Sequence, residues 1–172
     1  MKNFSKVIAT AAVVLAFTNS SFAQATATAA ASATIITPIT IVKNVDMNFG
    51  NVAVSATTAG TAILAPAGTR TTGGAGGVTL PATTGTVAAA SFTVSGQASY
   101  TYAITLPSSC NISSGSNTMA VNGFTSIPAT TGTLSGSGSQ ALTVGATLNV
   151  AAGQAPGTYT NATGVPVTVN YN

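Results

Sequence analysis

Ala25 to Val42 reads ATATAAASATIITPITIV, and its apolar and polar positions alternate. Ala25, Ala27, Ala29, Ala31, Ala33, Ile35, Ile39 and Ile41 share one face, with Thr37 as the polar member. Thr26, Thr28, Ser32, Thr34 and Thr40 share the other, with Ala30, Ile36 and Val42 as exceptions. A period of two marks a strand with one buried face. Fully extended, the run would reach about 60 Å, whereas ordinary strands hold about five or six residues. It is too long for one strand of one compact sheet. The change from alanine to isoleucine near Thr34 divides it. Residues 24–34 are expected to form a flexible or donor-strand arm carrying Ala27, Ala29, Ala31 and Ala33. Residues 35–172 are expected to form the domain, with Ile35, Ile39 and Ile41 in the core of its first strand. Pro38 would lie in that strand, where its missing N–H requires an edge or a bulge.

The alternation continues down the chain. Met47 and Phe49 alternate with Asp46 and Asn48, and Gly50-Asn51 offers a turn before Val52 and Val54. Ala62 to Leu64 is a short apolar run. Arg70 to Gly77, RTTGGAGG, reads as a flexible loop. It is not a phosphate cradle, which needs a following helix and usually a lysine. Phe92 and Val94 precede a Gly96-Gln97 turn. Tyr100 to Leu106 predicts a central strand with Tyr100, Tyr102, Ile104 and Leu106 on one face, closed by Pro107. Met119 to Phe124 predicts another, interrupted by Gly123. Leu142, Val144, Ala146, Leu148 and Val150 are predicted to face inward, opposite Thr143, Thr147 and Asn149. Val165, Val167, Val169 and Tyr171 form a C-terminal strand pattern. Eight to ten short strands with turn residues between them predict an all-β fold, an immunoglobulin-like β-sandwich, incomplete if the arm serves another domain. No fixed short repeat supports a β-solenoid.

Composition adds an address. Lys2 and Lys6 precede an apolar run from Val7 to Phe17, too short to span a bilayer. Ser21-Phe22-Ala23 supplies the small residues of a cleavage site before Gln24, so residues 1–23 read as a signal peptide. The product is expected in the periplasm, at the cell surface or outside the cell, and not membrane-spanning. A mature chain of about 150 residues suits one domain.

Removing the signal also removes most of the charge. Lys43, Arg70 and Asp46 are all that remain. Nucleic-acid binding needs several cations on one face, so none is expected. Surfaces near neutrality favour association. Cys110 is the only cysteine and has no internal partner for a disulfide; it reads as a small buried apolar residue, with an intermolecular bridge or reactive thiol as the alternative. His and Glu are absent. A glycosidase needs two carboxylates, a serine triad a histidine, and a zinc site several His, Cys or acidic ligands. No enzyme, metal or cofactor is expected. Lys43 and Asp46 read as a surface pair, or as charges blunting a strand edge.

Four stretches carry a family resemblance: ATIITPITIVKNVDMNFGNVAV at 33–54, PAGTRTTGG at 66–74, SFTVSGQASYTYAITLP at 91–107 and TLNVAAGQAPGTYTNATGVPVTVNY at 147–171. Together they closely resemble the exported bacterial family called domain of unknown function 4402. More loosely, the alternating N-terminal segment, the early NFG and the closing GTYT…VTVNY look like subunits of chaperone–usher pili, the spore-coat-U-like archaic pilins above all. That resemblance implies an incomplete sandwich, filled first by a periplasmic chaperone strand and then, at an outer-membrane usher, by another subunit's arm. Many such pilins hold an internal disulfide, which Cys110 alone does not supply.

The leading expectation is therefore a structural, pilin-like subunit of a surface assembly that associates with copies of itself or related subunits by strand addition. The alternative is a glycan-binding or adhesin-like module, with Tyr100, Tyr102 and Arg70 as candidate ligand contacts.

Overall fold

The computed structural model describes residues 24–172. The expected signal peptide lies outside the described residues. Two units divide the chain, the first ending at Ile35 and the second running from Ile36 to Asn172. In the first, residues 24–35 carry neither helix nor strand, and their side chains are exposed.

The second unit is all-β. In chain order its strands are β1 (Thr40–Val45), β2 (Asn48–Phe49), β3 (Ala53–Val54), β4 (Gly60–Leu64), β5 (Arg70–Gly73), β6 (Val78–Thr79) and β7 (Val87–Ala88). There follow β8 (Ala90–Ser95), β9 (Thr101–Thr105), β10 (Ser109–Ser114), β11 (Asn117–Ile127), β12 (Thr131–Thr133), β13 (Ser139–Val150) and β14 (Thr168–Tyr171). The main sheet runs β1-β8-β13-β11-β10, with β4 joined to β13 and β5 to β4. A second sheet runs β12-β9-β14, and β2-β7 and β3-β6 form two small ribbons. All pairings are antiparallel.

The strand β13 organises the sandwich. One edge pairs with β8 as far as Val144 and with β4 from Ala146 onward; the other pairs with β11. Its inward residues Leu142, Val144, Ala146, Leu148 and Val150 are all buried, as the alternation predicts. Leu142 and Val144 join Phe92, Val94, Tyr102, Leu134 and Val169 in a core between the two larger sheets. Ala146, Leu148 and Val150 join Phe49, Leu64, Val78 and Val121 in a second core beside the ribbons. The fold is a β-sandwich built on these two clusters.

Several expectations are corrected. Ile35 is 93% exposed and precedes the first strand rather than filling its core. Pro38 explains the late start. In the register Thr40↔Ser95, Pro38 would stand opposite Gln97 and would have to donate an N–H that it lacks. Pairing begins two residues later, and only Ile39 and Ile41 pack against the core. Arg70–Gly73 is not loop but β5, in register with β4 from Leu64↔Arg70 to Thr61↔Gly73. The β-branched Thr71 and Thr72 favour extension, and the turn begins only at Gly74. The strand expected at Met119–Phe124 runs on to Ile127, with a bulge between Asn122 and Thr125.

At the C-terminal end the ladder covers only Thr168–Tyr171 of the expected Val165–Tyr171. Extending the register Thr168↔Thr105 would set Pro166 against Pro107. Neither has an N–H, so the ladder stops.

Two stability predictions follow from the core. Leu142→Ala is expected to cost about 2–5 kcal/mol in urea unfolding. Tyr102 is fully buried and donates its hydroxyl to Gln140 Oε1 at 2.8 Å. Burial pushes its hydroxyl above the usual tyrosine value. Its folded form therefore holds the proton longer than the unfolded chain does. That contribution is full below about pH 10 and is lost as pH rises beyond it. Unfolding measured from pH 8 to 11.5 should show a smaller alkaline loss of stability in Tyr102→Phe than in the natural protein.

Candidate functional site, a groove beside two open strand edges

The strand β14 is bonded on one side only. Asn172 N–H reaches Thr101 O, so in this register Asn170 and Thr168 also turn their backbone groups toward β9. Tyr171 and Val169 then turn theirs outward. Among the described residues no strand pairs with that outer edge. The same holds for β1. Gly96 N–H faces β13 through Gly138 O, which leaves Ser95 and Thr93 facing Thr40 and Val42. Ile41 and Lys43 turn their backbone groups outward.

Beside these edges lies a groove of about 1430 Å³. The main sheet contributes Phe92, Met119, Val121, Leu148 and Val150 to it. The segment from β1 to β3 contributes Ile41, Met47, Phe49, Val52 and Val54. The stretch before β14 contributes Tyr159, Val165 and Val167. Residues 161–167 carry no strand, and the one bridge in this stretch ties Thr160 to Ser113. Cys110 is a free, half-buried thiol that also lines the groove. Lys43 Nζ and Asp46 Oδ1 pair at 2.6 Å on the groove's margin. Both side chains are mostly exposed, so the pair adds little stability; on an open edge such charges discourage unspecific strand pairing.

One side of the groove is shaped by Arg70. Its Nη1 donates to the carbonyls of Phe49 and Asn51. Gly50 between them has φ +66°, in the region where a side chain is strained. The pairing of NFG with TR in the sequence is thus one structural unit: the guanidinium holds the turn that points Phe49 into the core.

The ligand contacts expected from the sequence do not come together. Arg70 is occupied by backbone carbonyls. Tyr102 lies in the core between the sheets, because β9 is the middle strand of its sheet. Tyr100 is 44% exposed and meets Tyr171 edge-on, with ring centroids 5.8 Å apart. Ala27, Ala29, Ala31 and Ala33 are exposed and unpaired. Of the C-terminal set, Val169 is buried, while Val165 and Val167 line the groove.

Sequence reading missed the groove residues Met119, Val121, Leu148 and Val150 as a shared surface. Their alternation marks them as inward-facing, but only the tertiary arrangement brings them together as the floor of one groove, with Val121, Leu148 and Val150 buried there. Among the described residues no three His, Cys, Asp or Glu side chains lie together, and no helix is long and apolar enough to cross a membrane.

The family model described as "Domain of unknown function (DUF4402)" matches residues 39–171. The chain belongs to this family. No curated protein and no solved structure matches the chain. The DUF4402 domain begins one residue before β1 and ends with β14, so both open edges and the groove belong to it, while residues 24–35 do not.

Arg70→Ala is expected to destabilise the DUF4402 domain by about 1–3 kcal/mol in urea unfolding, because it leaves two carbonyls without their donor. Arg70→Lys should recover only part of that loss, since Nζ ends one bond short of the Nη1 that reaches both carbonyls.

Proposed function

We propose that this protein is an exported structural subunit of a surface assembly, and that copies associate by strand addition at the groove. The observation that carries the reading is the open edge of β14, with Val165 and Val167 just before it lining a groove that has an apolar floor and a polar rim. An edge strand offers a row of unpaired donors and acceptors, and alternating side chains of an added strand enter the adjoining pockets. The arm of a second copy has the pattern and reach required. Residues 25–33 alternate strictly on one face, as alanines. Extended, they span about 30 Å, close to the roughly 36 Å of residues 161–171.

The alanines also bear on strength. Each buries little area at about 25 cal/mol per Å², so most of the affinity rests on main-chain hydrogen bonds. A groove of this kind is exposed before assembly. On this reading a periplasmic chaperone covers it during export and an outer-membrane usher delivers the subunit, as the resemblance to archaic pilins implies. The lone Cys110 is a departure from pilins that carry a disulfide. A glycan-binding role has no comparable support, because Tyr102 is buried and Arg70 is engaged by backbone carbonyls.

Deletion of residues 24–33 from the mature chain tests the reading. Size-exclusion chromatography is expected to show monomers for the truncated protein and larger species for the full mature chain. At dilutions where both are monomeric, urea midpoints should agree, since residues 24–35 have exposed side chains. Polymers of unchanged size after truncation would end the proposal.

A further inference from the structure

Thr37 is held at both of its backbone groups by side chains from distant parts of the domain. Its carbonyl accepts a hydrogen bond from the Tyr171 hydroxyl at 2.7 Å. Its N–H donates to Gln97 Oε1 at 3.2 Å. The ring closes because Gln97 N–H donates to the same Tyr171 hydroxyl at 2.6 Å. Space for that hydroxyl exists because residue 96 is glycine; a Cβ there would collide with the Tyr171 oxygen. The neighbouring Pro38 restricts Thr37 to extended backbone. Thr37 is therefore fixed one residue after the second unit begins at Ile36.

Tyr171 stands at the other end of this contact with a second task. Its backbone groups turn to the open edge of β14, while its side chain holds Thr37. Its own strand is four residues long and paired on one edge. Such a strand opens locally at low cost. A strand bonded to the outer edge would hold Tyr171 from both sides and keep its hydroxyl in place.

We propose that Tyr171 is a latch coupling occupancy of the β14 edge to the fixing of Thr37, the root from which the same molecule's arm departs. The proposal rests on the strand-addition reading and adds to it a direction: a subunit whose groove is filled presents its own arm from a fixed base. Assembly then favours growth on subunits already incorporated over pairing of free ones, because the filled state has already given up the freedom of the root.

The test is amide hydrogen exchange read by mass spectrometry on the mature chain, residues 24–172, diluted until monomeric. A synthetic peptide of residues 24–35 is the probe. In the natural protein, saturating peptide should slow exchange in 167–171 and, by about tenfold, in 36–40. In Tyr171→Phe, which keeps the ring against Tyr100, 167–171 should still slow while 36–40 changes less than about twofold. Circular dichroism checks that the variant folds. If it does not, Gln97→Ala removes the acceptor of the Thr37 N–H, and the slowing at 36–40 must fall there instead.

Equal slowing at 36–40 in the variant overturns the latch. So does slowing at 167–171 without any at 36–40 in the natural protein. A peptide that leaves 167–171 unchanged in the natural protein overturns the strand-addition reading, and the latch with it.

Discussion

A strand bonded on one edge carries a second row of N–H and C=O groups that water or another strand must meet. β14 is in that position, and the rest of the domain makes the position specific. β9 holds it from one side. Pro166 and Pro107, which would face each other in the next rung, end the ladder after four residues. The chain before it lines the groove instead of joining a sheet. The length of that edge is thus a product of sequence. Two prolines stop the ladder, and the valines on either side of it supply the apolar surface.

The same constraint acts at the start of the domain. Pro38 prevents the β1 ladder from reaching back toward the arm, and Thr37 is tied to Gln97 and Tyr171 instead. Two edges that would otherwise invite unspecific pairing are treated differently. On β1 the Lys43–Asp46 pair stands at the margin. On β14 no charged side chain is present. Nearly all the charge of residues 24–172 is thus spent on an edge pair and on the Arg70 clamp, and the strand edge left uncharged is the one beside valines.

Legibility followed locality. The inward face of β13 could be read directly, because Leu142 to Val150 alternate without interruption and bury one side. The all-β class was equally plain from β-branched runs between glycine and proline. β5 was hidden because four glycines after Thr72 mask two good strand residues. Ile35 was misplaced because alternation reports which face a residue takes and not whether a ladder partner exists. Tyr102 looked available because burial of its face depends on a sheet more than thirty residues away in sequence, reached through Gln140. The Thr37–Tyr171 contact spans 134 residues and left only one local trace, the glycine at 96 that makes room for it. The groove was the least legible feature. Its floor at Val121 and Leu148 is buried like the rest of the core, and alternation does not separate a residue under a groove from one under a second sheet.

On the proposed reading, the β14 edge and its groove receive the alanine arm of another copy. Magnetic-resonance contacts in assemblies mixed from two differently labelled chains address it most directly. Through-space contacts are expected between methyl groups of Ala27–Ala33 in one chain and Val167 and Val169 in the other. Assemblies that form with those valines in contact only with residues of their own chain would contradict it.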